Sequence, residues 1–203
     1  MPVPALPLAA PRTAPLPRRE RREAILAAAA GAFARAGYAA TSMEDIAAAS
    51  GVTKLIVYRH FDSKEALYRS VLEQVFARQA ELFVDNIAQG LQAAGATRAL
   101  LAVGREWPDG FRLLWRHAAR EPQFADYAHD LRDIAVSAAR EVVASLVAAP
   151  VAEWAAQTLF DHLVDAVLNW LDYADASIDE QFVALETASI QATVTAWATT
   201  TPR

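Results

Sequence analysis

Positions 54 to 60 of this chain read Lys-Leu-Ile-Val-Tyr-Arg-His. Cations, an imidazole and a phenol alternate there with aliphatic side chains. A core helix does not want Lys54, Arg59 and His60, and a solvated helix has no use for Leu55 and Ile56. A nucleic-acid groove suits the mixture. Cations meet phosphates or guanine edges, an aliphatic group meets a thymine methyl, and a phenol serves both.

Other chemistries find little support. The histidines, at 60, 117, 129 and 162, lack metal-ligand spacing, and cysteine is absent, which excludes thiolate sites and disulfides. The glycines read as breaks between elements and form no phosphate-binding loop. His162 lies one helical turn from Asp165 and Thr158, but such pairs are usually structural. Asp161 and Asp165 read as a solvated face. No catalytic residue, metal or cofactor is expected, and the chain does not read as an enzyme.

Net charge is −5 over 203 residues, yet it is unevenly distributed. Through residue 70 there are ten Lys/Arg against six Asp/Glu, and beyond it nine against eighteen. A basic front and an acidic back suggest a nucleic-acid-facing module on a body that must not stick to it. Lys54 and Lys64 are the chain's two lysines, against seventeen arginines. They are either a pair of DNA contacts or a chance pair of solvated residues. No apolar run reaches the length of a membrane span. Six prolines in the first 17 residues argue against a secretory signal, so a disordered arm over 1–17 and a cytoplasmic protein are expected.

The elements that must position these residues all read as helices. Alanine makes up about a quarter of the chain, apolar spacing is helical, and no strand pattern appears. Breakers predict helices at about 18–36, ending at Gly37, then from Thr41-Ser42 to Ser50-Gly51, and 53–61. A fourth opens on a box of Asp62 and Glu65 and runs to about Gly90. Further helices are expected near 97–106, 111–120, 124–147, 151–173 and 178–199. The fold class is therefore all-α: a three-helix N-terminal unit with a helix-turn-helix over 18–62, and a helical body over 63–203.

Two short helices around Gly51 make the helix-turn-helix. Ala47 lets them approach, and Val52, Val57 and Phe61 turn inward toward Ile46 and Phe33. Lys54, Leu55, Tyr58 and Arg59 then face outward, with Ile56 at the edge. "TSMEDIAAASGVTKLIVYRHFDSKEALY" resembles the DNA-binding signature of the tetracycline-repressor (TetR) family of bacterial regulators, over about residues 19–72. The resemblance implies phosphate contacts from Thr53, Tyr58, His60 and Lys64, and base contacts from Lys54, Leu55 and Tyr58. Thr41 and Ser42, at the cap, and Arg59 complete the expected DNA-binding set. Leu55-Ile56 departs from the small residue and threonine of many members, replacing a hydroxyl with apolar contact.

In the body, Trp107, Phe111, Leu114, Trp115, His117, Phe124, Tyr127 and Leu131 are either an ordinary aromatic core or the lining of an effector pocket. The resemblance favours the pocket. The 151–173 helix is apolar around most of its circumference. The last helix spaces Val183, Ile190 and Trp197 by seven, with Val194 between, and no charge falls between Thr187 and Pro202. Together with Trp154, Val164 and Leu168, these are expected to form a homodimer interface; burial within one subunit is the alternative. Function then reads as a regulator on double-stranded palindromic DNA, a repressor released by a small apolar or aromatic effector. An effector-independent regulator or activator, and a helical ligand-binding protein or enzyme with a vestigial DNA module, remain alternatives.

Overall fold

The protein, seen in a computed structural model, is described over residues 17–88, 93–173 and 175–200. The expected 1–17 arm lies outside them except for Pro17. Among the described residues every regular element is helical: α1 (Arg18–Ala40), α2 (Met43–Ala49), α3 (Lys54–Tyr58), α4 (Lys64–Ala88), α5 (Ala93–Glu106), α6 (Pro108–Arg112), α7 (Ala125–Val143), α8 (Ala149–Tyr173) and α9 (Asp179–Thr200). The expected all-α class holds.

α1 buries Ile25, Leu26, Ala29 and Phe33, one stripe at i+4 spacing. Its regular run stops at Gly37, whose φ of +79° suits only glycine well; Tyr38–Ala40 make one more turn. Ser63, not Asp62, opens α4: its Oγ accepts from Ala66 N at 3.0 Å. α5 ends at Glu106 as expected, and Trp107 ahead of Pro108 is non-helical, but a new helix starts at the proline itself. Pro108 occupies the first turn of α6, where its missing N–H costs nothing. Beyond α6 the chain continues as a π-helical turn, Leu113–His117, and a 3-10 turn, Ala118–Arg120.

Four glycines expected at breaks, Gly31, Gly95, Gly104 and Gly110, instead lie inside helices. Gly31 sits within α1, and Gly104 lies within α5 where a Cβ would stand 2.7 Å from Leu171 of α8. Small size at Gly104 lets α5 and α8 approach. One apolar core runs without interruption from Ile25 to Val183, and α4 ties its ends together. The first half of α4 buries Leu67, Tyr68, Val71, Leu72 and Val75; its second half projects among α5, α7, α8 and α9. Ion pairs fix the rim. Arg105 grips Asp179 through two hydrogen bonds of 2.7 and 3.0 Å, and Trp170 donates to the same carboxylate at 2.8 Å, anchoring the start of α9.

Candidate functional site

The N-terminal unit assembles around a capped short helix. Ser42 and Asp45 form a reciprocal box: Asp45 N donates to Ser42 Oγ at 3.1 Å, and Ser42 N donates to Asp45 Oδ2 at 2.9 Å. Thr41, expected among the DNA contacts, is 2 % exposed, and its hydroxyl donates inward to Gly37 O at 2.8 Å, so its side chain secures the end of α1. The turn closes through Val52 N to Ala47 O at 3.1 Å, with Gly51 at φ +67°.

On α3, Val57 and Phe61 are buried with Ile46 and Phe33, and Ile56 is half-buried against the same core. Lys54, Leu55 (63 % exposed), Tyr58 (42 %) and Arg59 face outward, as their spacing predicts, and Thr53 is exposed beside them. Thr53 makes no side-chain cap bond. Lys54 pairs with Glu44 of α2 and lies 5.7 Å from the Tyr58 ring centre. That hydrogen bond is the chief reason the Glu44 carboxyl lies below its usual range. A basic rim adjoins. Burial first, then Arg18, Arg21 and Arg22 of α1, hold His60 below the ordinary histidine value. Arg22 covers the Phe61 ring at 5.0 Å.

Lys64 does not stand ready for a phosphate. Its ammonium donates to Tyr38 O at 2.8 Å and Thr41 O at 2.9 Å, reaches Ala39 O at 3.5 Å, and lies 4.3 Å over the Tyr38 ring. Those carbonyls end α1 and have no helical partner of their own. The lysine acts as their cap.

The aromatic residues expected to line a pocket are placed otherwise. Phe124 is fully buried, stacked on Tyr68 at 4.3 Å and edge-on to Tyr38 at 4.9 Å, with Phe33 completing the cluster 5.0 Å from Tyr68. Tyr38 N also donates to Glu121 Oε1 at 3.4 Å. This cluster is the joint between the N-terminal unit and the body. Phe111, Leu114 and Leu131 are buried in the core. Tyr127 donates to Glu73 at 3.2 Å beneath Arg69, and the Trp107 indole donates to Glu106 on the surface at 3.2 Å. His117 sits in the π-helical turn, held low by burial and then by Arg116 and Arg120. Trp115 lies edge-on to Phe160 at 5.2 Å.

A cavity does exist, but none of these eight residues lines it. It holds about 530 Å³ between the second half of α4, α5, α7, α8 and α9, with Phe76, Gln79, Phe83, Ile134, Val142 and Phe160 among its walls. Sequence reasoning missed it. The available signal was surplus apolar surface: Val84 and Ile87 on α4, Ile134 on α7 and Leu146 just beyond it are all exposed.

The expected dimer seam also turns inward in part. Val164, Leu168 and Val183 are buried inside the subunit, and Ile190 and Val194 line the cavity. α9 needs its heptad face for its own core. Trp154 stays 54 % exposed and meets Trp197 at 4.8 Å. Among the described residues no helix is long and apolar enough to cross a membrane, and no cluster of three His, Cys, Asp or Glu could hold a metal.

The sequence profile of the bacterial regulatory proteins of the tetR family matches residues 25–71, from Ile25 of α1 to Val71 of α4. Residues 25–71 are thus a TetR-family segment. Similar proteins include the HTH-type transcriptional activator FasR of Mycolicibacterium smegmatis, 35 % identical over 119 residues, and the HTH-type transcriptional regulator RutR of Escherichia coli, 34 % identical over 96. The matches cover 54 % and 46 % of this chain and 52 % and 45 % of those proteins, so the chain spans about half the length of the curated relatives it matches. Those relatives are named as regulators, not enzymes. The fold extends further. A TetR-like regulator from Rhodococcus sp. RHA1 superposes with a TM-score of 0.70 at 22 % identity, covering 86 % of this chain and 95 % of that one. AibR, solved with isovaleryl coenzyme A and operator DNA, gives 0.65 at 21 %, covering 84 % and 97 %.

Proposed function

We propose that this chain is a cytoplasmic one-component transcriptional regulator of the TetR family. It acts as a homodimer on a palindromic operator and leaves it when a small effector fills the cavity. The observation that carries the reading is α4: one continuous helix whose start packs on α1 of the N-terminal unit and whose end walls the cavity. Residues 18–62 form the DNA-binding unit and 63–203 the dimerisation and effector unit. The outward face of α3 enters a major groove, Lys54 and Leu55 facing bases, and Thr53, Tyr58 and His60 holding phosphates. Two copies meet through the outer surfaces of α8 and α9. There Trp154 and Leu185 (67 % exposed) offer apolar area, and Ala188 and Ala192 allow close approach. The effector wedges against Phe76 and Phe83, tilts α4, and through the Phe124–Tyr68–Tyr38 joint moves α3 out of register. Activation is the second reading, favoured by FasR, which is named an activator.

The test of DNA reading is Leu55→Ala, scored by selection from a random duplex pool. The preferred site should weaken by about 1–3 kcal/mol and lose its base preference at one position per half-site, while random duplex binding stays unchanged. An unaltered selected sequence would show that Leu55 does not face a base. Footprinting beside the chain's own gene supplies the operator. A monomer at micromolar concentration in sedimentation would remove the dimer and the palindrome together.

Protonation gives a second expected result. In the free protein the depressed His60 is neutral at pH 7. A neighbouring phosphate favours its charged form, so DNA binding takes up a proton. Affinity should therefore rise as pH falls through about 6.5, and His60→Gln should flatten that rise. Stability runs the opposite way: a depressed histidine stabilises the fold above the unfolded value and loses that contribution as pH falls through the lower folded one. A pH-independent difference between parent and variant affinity would remove His60 from the phosphate set.

A further inference from the structure

The cavity's wall chemistry restricts what can occupy it. Every residue lining it is apolar except Gln79, and none is charged. Alanines of α5 and α7 make the space, and its lining along α4 runs from Phe76 to Ile87, about 16 Å at ~1.5 Å per residue. The volume of this partly open cleft falls within the usual range of small-molecule sites, about 300–1,000 Å³. The exposed Val84, Ile87, Ile134 and Leu146 mark its mouth. Gln79 lies one to two turns deeper along α4. Its Oε1 is buried and has no hydrogen-bond partner. A buried acceptor left unsatisfied costs free energy until a donor reaches it. An ionised head would gain nothing here: with no cation in the wall, its desolvation goes uncompensated.

We infer that the cavity takes an uncharged, elongated aliphatic molecule carrying one hydrogen-bond donor, a hydroxyl or an amide N–H, which enters first and donates to Gln79 Oε1. The inference rests on the reading of this cavity as the effector site. A carboxylate, or the phosphates of a coenzyme thioester, would be excluded from the interior, and a donor-free hydrocarbon or ether would leave the Gln79 oxygen orphaned.

The probes are 1-nonanol, its isomer methyl octyl ether, and nonanoate at pH 8, titrated into the full chain by calorimetry. The alcohol and the ether share size and atom count and differ in the donor. Nonanol should bind about tenfold tighter than the ether, and nonanoate more weakly than either. Gln79→Leu should bring nonanol and ether to within about twofold of each other. Ala138→Trp, on α7 within the wall, should abolish binding of both while helical content by circular dichroism stays intact. Nonanoate matching nonanol, or a preference for nonanol that survives Gln79→Leu, overturns the inference. Binding of neither isomer overturns it together with the effector reading. The expected selectivity without any change in operator affinity supports the ligand class and overturns only the regulatory reading.

Discussion

Phe124→Ala should lower the free energy of unfolding by about 3–5 kcal/mol, the range for deleting a large buried aromatic ring. Phe124 is fully buried, and its ring touches Tyr68 and Tyr38 at 4.3 and 4.9 Å. Both partners are held by other elements, Tyr68 by α4 and Tyr38 by the turn after Gly37, so neither can collapse into the gap. Urea melts followed by circular dichroism should show a lower midpoint at an unchanged slope. A loss under about 1 kcal/mol would mean the joint is loosely packed. Tyr68→Phe is the control of opposite sign. The Tyr68 hydroxyl is buried without a hydrogen-bond partner, and burial is the largest of the causes holding its phenol above the ordinary tyrosine range. Removing that oxygen leaves the stacking intact and should be neutral or stabilising. Phe124 lies away from the outward face of α3, so Phe124→Ala, kept well below its melting temperature, should bind operator normally yet respond poorly to effector.

The difference between what the sequence disclosed and what it concealed follows from range. The helix-turn-helix is a local object: Ser42 caps, Ala47 and Gly51 permit the turn, and Val57 with Phe61 set which face of α3 points out. Each signal lies within a few residues of the structure it specifies. The cavity has no such signature. Its walls come from five helices, and aromatic content around 107–131 is a misleading guide, because Phe111 and Phe124 have partners that fill the space beside them. Alanines of α5 and α7, set among Phe76, Phe83 and Phe160, mark the real void. The heptad spacing of Val183, Ile190 and Trp197 correctly shows a buried face on α9 but not which body buries it; α5, α7 and α8 of the same subunit do much of that work. Gly104 was hidden for the same reason, since its need for small size arises from Leu171, 67 positions away.

Lys64 brings these two ranges into conflict, and its substitution decides between them. The family resemblance implies a phosphate contact; the structure turns the ammonium to the carbonyls of Tyr38 and Thr41. Lys64→Ala would strand those carbonyls at a half-buried site and remove the cation from the Tyr38 ring. Bonds to a charged donor contribute about 1.5–3 kcal/mol when both partners are held; partial solvent access at this site places the expected loss near the lower end. Tyr38 and Thr41 lie where α1 gives way to α2, so the lesion should loosen the seating of α2 and, through it, α3. DNA affinity should fall by a similar factor for operator and random duplex, because positioning is lost and base reading is not. The salt dependence separates the two roles. A direct phosphate contact contributes about 0.9 to the slope of log affinity against log salt. If Lys64 caps α1, the parent and Lys64→Ala slopes should be parallel, with the melting midpoint lowered. If it holds a phosphate, the slope should drop by about one per half-site while the midpoint stays where it was.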